Sequence, residues 1–234
     1  MIFTSYASGS TGNFYTANDS HTNLIIDCGI PIAKIKEKLK FKLHSIDACL
    51  LSHSHADHSL AAADLAKAGI DVYASPETLN TCGLRGHRFH IIDALRQFSL
   101  GSWNIMPFNT VHDTPGSLGF LFESTATKEK LLYITDSAYS PYKFKGLSII
   151  AIECNYDKES LNHSIRQGFV PEIVAKRLSG THMELGTLID LLRANDLSKV
   201  KQIYLMHMSR NNSNAARFKT EIQKATGAEV YICG

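Results

Sequence analysis

Three histidines and an aspartate fall within six residues, His53-Ser54-His55-Ala56-Asp57-His58, at the end of an apolar run over residues 46–52. Composition alone does not produce such a cluster, and any fold for this chain has to present it. Imidazole nitrogen and carboxylate oxygen are good ligands for zinc, manganese and iron. On an extended stretch His53 and His55 point to the same side, because strand side chains alternate. Asp57 and His58 follow where the chain turns into an alanine-rich helical stretch, residues 60–68. One loop can then offer two donors to one ion and two to a neighbour. A polar loop with surface histidines is the plain alternative, and so dense a spacing argues against it.

The flanking pattern places this loop in an α/β chain. Residues 2–6, 13–16 and 23–27 are short β-rich runs, with a Gly-Ser turn at Ser8-Gly9-Ser10-Thr11-Gly12. Pro31 sits where a helix can begin, and residues 32–39 have helical spacing. Residues 71–74 read as a strand, and Pro76 opens a further helical stretch. Phe98 and residues 103–108, 117–123 and 130–135 read as consecutive antiparallel strands, and 147–153 as a buried one. Residues 158–195 are mostly helical; 202–206 and 229–232 are strands around a helix over 214–225. No linker, low-complexity tract or solenoid repeat interrupts this. Two packed sheets with helices outside suit the alternation, and 234 residues suit one domain, 1–234.

Composition excludes some classes. With 44% hydrophobic residues the chain can bury a sizeable core. A net charge of +2 gives no whole-protein argument for nucleic acid and none against a local basic patch. No segment approaches the roughly 18 apolar residues of a membrane span. The N-terminus lacks the basic leader of a secretory signal, so a cytoplasmic location is expected. The cysteines, Cys28, Cys49, Cys82, Cys154 and Cys233, are odd in number with no Cys-x-x-Cys pair; reduced, packed thiols are expected.

His-x-His-x-Asp-His after a strand resembles the signature of the metallo-β-lactamase superfamily. That resemblance extends over nearly the whole chain. It implies an αββα sandwich of two mixed sheets with two divalent metal ions at one edge, zinc, manganese or iron. By the same resemblance His53, His55 and His112 hold one ion, Asp57, His58 and His207 the other, and Asp136 bridges them. Asp27, ending the 23–27 run, supports the site through hydrogen bonds without being a ligand. His112, Asp136 and His207 match the family order, each at a strand end.

The N-terminal run Ala7-Ser8-Gly9-Ser10-Thr11-Gly12-Asn13 resembles the YycJ-like, or WalJ-like, branch of the superfamily. So do Glu153-Cys154-Asn155-Tyr156-Asp157, Gly180-Thr181-His182 and His207-Met208-Ser209-Arg210-Asn211-Asn212. The chain departs from the branch in Tyr156, where a histidine is usual, and in Met183-Glu184 after His182. Those departures leave substrate identity and the role of His182 open: a phosphate contact or proton donor, or a helix packing residue. The branch implies a phosphodiesterase or nuclease acting on DNA from a 5′ end.

An ion at such a site lowers the pKa of bound water toward about 7 and makes hydroxide available at neutral pH. Two ions can also clamp a phosphoryl oxygen, so no serine or cysteine nucleophile is needed, and Ser52, Ser54 and Ser59 read as spacers. Asp57 and His182 are the catalytic candidates beyond ligation. Glycines in the 8–13 loop allow backbone N–H groups to approach an anion, or simply make a hairpin turn. The 114–117 turn, Thr-Pro-Gly-Ser, sets the direction of a ligand. Lys34, Lys36, Lys38, Lys40 and Lys42 read as a solvated helix face rather than a phosphate track. Tyr139, Tyr142 and Phe144 can stack a base or pack. DNA or another phosphodiester is thus the expected partner, with no membrane. A metal-dependent thioester, lactone or amide hydrolase is the alternative, and a non-catalytic metal-binding nucleic-acid module a third reading. Metal identity, polarity and oligomeric state are not encoded legibly.

Overall fold

The computed structural model describes residues 1–234. Its strands are β1 (Ile2–Ala7), β2 (Phe14–Asn18), β3 (Asn23–Cys28), β4 (Ala48–Leu50), β5 (Asp71–Ala74), β6 (Phe89–Ile91), β7 (Phe98–Leu100), β8 (Trp103–Asn109), β9 (Leu118–Ser124), β10 (Lys130–Ile134), β11 (Ile149–Glu153), β12 (Gln202–Met206) and β13 (Glu229–Ile232). The helices are α1 (Ile32–Lys38), α2 (Ala56–Ser59), α3 (Ala62–Lys67), α4 (Pro76–Thr81), α5 (Lys158–Arg166), α6 (Glu172–Thr181), α7 (Leu185–Arg193) and α8 (Ala215–Thr226). The strands belong to two mixed sheets, an α/β architecture. The chain divides into two compact units, Met1–Asn109 with Thr114–Glu129, and Thr110–Asp113 with Lys130–Gly234.

In the first unit β1, β2 and β3 pair antiparallel, and β3 to β6 continue in parallel. One face of that sheet offers Ile25, Cys49, Leu51 and Val72 to Ile35 of α1, Leu65 of α3 and Leu79 of α4. Ile32, Ile35 and Leu39 supply the helical spacing that turns α1 onto it. Strands β7, β8 and β9 form an antiparallel run. A buried carboxylate, Asp19, clasps the β2–β3 turn to that run. It accepts from Ser124 Oγ at 2.5 Å, from Ser102 Oγ at 2.7 Å and from the Thr22 amide at 3.0 Å. Trp103 Nε1 adds a bond to the Thr22 carbonyl at 3.1 Å.

The second unit carries β10 to β13, all parallel. Parallel neighbours need crossover connections, here α5 to α7 between β11 and β12, and α8 between β12 and β13. Strand β11 is buried at every position and reads as the continuous apolar run of a covered parallel sheet. Asn214 caps α8 by accepting from the Arg217 amide at 3.0 Å, and Gly227, at φ 71°, ends it. Helices α5 and α6 share a small core of Tyr156, Leu161 and Ala175.

Several expectations shift. The run 130–135 reads as one of a series of antiparallel strands, and on its other side β10 pairs parallel with β11; that parallel direction is a tertiary property that a short apolar run does not carry. The helical stretch 60–68 forms α3 (Ala62–Lys67), and a separate single turn of helix, α2, precedes it. Strand β4 stops at Leu50, so His53 and His55 lie in a bend rather than on an extended strand. Strand β6 has no alternation legible in sequence. The cysteines are free thiols, and burial pushes the Cys49 and Cys154 thiols well above the usual range. No helix is long and apolar enough to cross a membrane.

The Asp19 clasp makes a pH prediction. Burial alone would raise the carboxyl, but the Ser124 and Ser102 hydroxyls and two backbone amides outweigh it and hold it at about 2, against 3.8 when unfolded. The unfolded chain therefore binds the proton more tightly, and the stabilisation is present above pH 3.8 and lost as pH falls through about 2. It amounts to about 2 kcal/mol. Asp19→Asn should lower stability at pH 7 by about 2 kcal/mol and flatten the fall in stability between pH 4 and pH 2. Urea unfolding at several pH values checks this; identical slopes for the two proteins over that window would refute it.

Candidate metal centre

In the first unit the site begins at Asp27, the penultimate residue of β3, at φ 57°, a left-handed conformation rare outside glycine. The turn throws a fully buried carboxylate toward the chain leaving β4. Asp27 Oδ1 accepts from the Ser52 amide at 2.8 Å, and Oδ2 from Ser52 Oγ at 2.9 Å. His58 Nδ1 lies 2.8 Å from Oδ2. A carboxylate has no proton to give, so Nδ1 carries the hydrogen and His58 Nε2 keeps the lone pair. Ser52 Oγ spends its proton on Asp27 and accepts from His53 Nδ1 at 3.0 Å, which puts the lone pair on His53 Nε2.

That nitrogen lies 3.0 Å from His55 Nδ1. Two nitrogens bound tetrahedrally to one zinc at about 2.0–2.1 Å stand roughly 3.3 Å apart, so the pair has the spacing of ligands to one ion. The carbonyl of Asp57 is held by the Asn13 amide at 2.8 Å and by Asn13 Nδ2 at 3.1 Å. Gly29 passes beneath it so closely that a Cβ would sit 1.6 Å from that oxygen. Asn13 Nδ2 also approaches His58 Nε2 at 2.9 Å. The branch-like 8–13 run thus grips the ligand loop.

In the second unit the carboxyl ends of parallel strands supply the donors, the usual place for a site in such a sheet. Register pairs Ile134 with Ile152 and Glu153 with Met206, so Asp136, Glu153 and His207 leave one edge together. Asp136 and His207 do so at φ 42° and φ 51°, backbone strain of the kind that gathers at functional sites. His182 arrives from the break between α6 and α7. One ligand atom each from Asp136, Glu153, His182 and His207 lie within 4.8 Å of one another.

Glu153 is the anchor of this cluster. Its Oε2 accepts from the amides of Ser137 at 3.0 Å and Met183 at 3.1 Å. Its Oε1 lies 2.6 Å from His182 Nδ1 and 3.3 Å from His207 Nδ1. Asp136 Oδ1 is 3.1 Å from His182 Nδ1. Burial by itself would lower His182, but Glu153 and Asp136 outweigh it and push it up to about 10. Burial would likewise raise Glu153, and the His182 charge holds it below the usual range instead. The two form an ion pair. His112 donates from Nδ1 to the Thr181 carbonyl at 3.2 Å, and its Nε2 lies 3.4 Å from Asp113 Oδ1. Burial, the largest influence, keeps its pKa below the ordinary histidine value, the neutral form a metal needs.

The first unit therefore assembles His53, His55, Asp57 and His58 around Asp27, and the second Asp136, His207 and His182 around Glu153, with His112 against His182 at a ring separation of 5.7 Å. His182 is not a helix packing residue: it joins the donor cluster. Glu153 went unrecognised as a site residue, though a carboxylate closing a wholly apolar strand was a legible signal. Ser52 was read as a spacer, and it fixes two histidines. Phe144 is buried and packs, while Tyr139 is exposed. The lysines over 34–42 are solvent-exposed, as expected.

Fold and donors together define a metal-dependent hydrolase of the metallo-β-lactamase kind. A family model described as the β-lactamase superfamily domain matches residues 22–208, and the chain belongs to that superfamily. It is 26% identical over 232 residues to the exodeoxyribonuclease YycJ of Bacillus anthracis, covering 91% of this chain and 84% of the relative. It is 26% identical over 222 residues to the exodeoxyribonuclease WalJ of Streptococcus pneumoniae, covering 88% and 81%. Among solved structures, the metallo-β-lactamase fold protein YhfI from Bacillus subtilis matches with a TM-score of 0.77 at 15% identity over 99% of this chain and 95% of that one. The fold implies divalent metal ions, and the clustered imidazole and carboxylate donors fit them.

Asp27→Asn tests the support. An amide nitrogen facing His58 Nδ1 forces the proton onto Nε2, the wrong tautomer for a ligand. Metal affinity should fall about 10–100-fold with the protein still folded, measured by competition with a chromogenic chelator. Undiminished affinity would remove Asp27 from the support of the site.

Proposed function

We propose that this chain is a phosphodiesterase, acting on DNA as a 5′→3′ exonuclease, and that its two units are halves of one catalytic domain. The matched family region, 22–208, runs through both units. In this reading His53, His55 and His112 hold one divalent ion, Asp57, His58 and His207 the other, and Asp136 bridges them. Zinc and manganese both suit such a nitrogen-rich set, and availability decides between them. The observation that carries the reading is the fixing of His53, His58 and His112 through their Nδ1 atoms by Ser52, Asp27 and the Thr181 carbonyl, which sets the orientation of all three rings. A structural histidine has no need of that arrangement; a ligand does.

When bound, the ions supply a hydroxide at neutral pH and a Lewis-acid clamp for a phosphoryl oxygen. The chain's residues do the rest. Asp57, held by Asn13, faces the nucleophilic side. His182, charged and anchored through Nδ1 on Glu153, directs its other N–H toward substrate oxygen, where it can bind phosphate or give a proton to the leaving group. The relatives named exodeoxyribonuclease favour a DNA phosphodiester over a carbonyl substrate. A cytoplasmic location accompanies this reading.

The test is a substrate panel with added manganese or zinc: bis-p-nitrophenyl phosphate, a thioester, a lactone, and DNA labelled at either end. Hydrolysis of the phosphodiesters, with mononucleotides released from the 5′ end, is expected. Turnover of the carbonyl substrates alone would overturn the proposal. His207→Ala should lose one equivalent of metal and more activity than the roughly 10–100-fold that loss of an outer partner costs. Two equivalents by elemental analysis in that variant would remove His207 from the ligand set.

A further inference from the structure

Thr114 stands outside the ligand set, yet its hydroxyl Oγ1 lies 3.0 Å from His55 Nε2. The other nitrogen of that ring, Nδ1, is the one that faces His53 Nε2 at 3.0 Å. His55 therefore presents the opposite edge of its imidazole from His53 and His58, whose Nδ1 atoms are engaged by Ser52 and Asp27. Something must hold its proton on Nε2. The turn that carries Thr114 is fixed at several points. Ser117 Oγ donates to the Thr114 carbonyl at 2.6 Å. The Leu118 amide donates to the Ser52 carbonyl at 2.8 Å, one residue before His53. Gly116, at φ 73°, presses against the start of α4, where a Cβ would meet Ser75 Oγ at 2.5 Å and Glu77 Oε2 at 2.7 Å.

We propose that Thr114 is a positioning residue: its hydroxyl accepts from His55 Nε2–H, fixes the ring plane and tautomer, and so makes Nδ1 the metal-facing atom. The inference rests on the metal reading of His55 given above. It assigns the 114–117 turn a purpose. Gly116 and Ser117 set the turn, the turn sets the hydroxyl, and the hydroxyl sets the ligand. Such outer partners of metal-bound histidines orient the ring and raise its basicity.

The test uses the full chain and two readouts. In the metal-free wild type, long-range proton–nitrogen NMR of the His55 ring should show hydrogen on Nε2 and none on Nδ1; the reverse tautomer would overturn the inference without any variant. In a cobalt titration, Thr114→Val should bind one equivalent about 10–100-fold more weakly, with altered visible absorption, and Thr114→Ser should restore both affinity and spectrum. Wild-type affinity and spectrum in Thr114→Val would sink the proposal, as would a Thr114→Ser variant as impaired as the valine, since the methyl and not the hydroxyl would then matter. A wild type that binds no cobalt would instead defeat the metal reading, while the tautomer measurement still judges Thr114.

Discussion

The carboxylate of Asp27 governs the first unit. It is fully buried, and an unpaired charge there would cost several kcal/mol. Three donors answer it: the Ser52 amide, the Ser52 hydroxyl and the His58 ring. Satisfying that charge forces the chain after β4 into one path, and His53, His55 and His58 follow along it. The same bonds that make the carboxylate tolerable orient the His53 and His58 rings. Folding energy and ligand preparation are here one set of interactions.

Glu153 plays the matching part in the second unit. It too is fully buried, and it collects two backbone amides and the charge of His182. Each unit thus centres on a carboxylate that closes an apolar strand and organises imidazoles around it. The difference lies in the partners. Asp27 meets its histidines through a neutral donor network, whereas Glu153 keeps His182 charged.

The backbone shares in this. Asp27, Asp136 and His207 all have positive φ, although none is glycine. Where a strand ends in that conformation, the side chain is thrown out of the pleat and toward the sheet's carboxyl edge. Gly29 completes the first unit by letting β3's continuation slide under Asp57. These strained and close-packed positions are where local preference was overruled, and they coincide with the donors.

Much of this was legible beforehand. The His53–His58 spacing announces a ligand loop, Asp27, Asp136 and His207 follow from the family resemblance, and 71–74, 202–206 and 229–232 match β5, β12 and β13. Periodicity and residue chemistry are local, so the sequence by itself determined the elements, the donor types and the family. What only the tertiary structure decided was non-local: the parallel pairing of β10 with β11, the break between α2 and α3, the anchoring of His182 on Glu153, and the ring edge that His55 presents. A hydrogen bond between residues 29 or 59 positions apart leaves no mark on either neighbourhood, because its energy depends on where the whole chain has carried them.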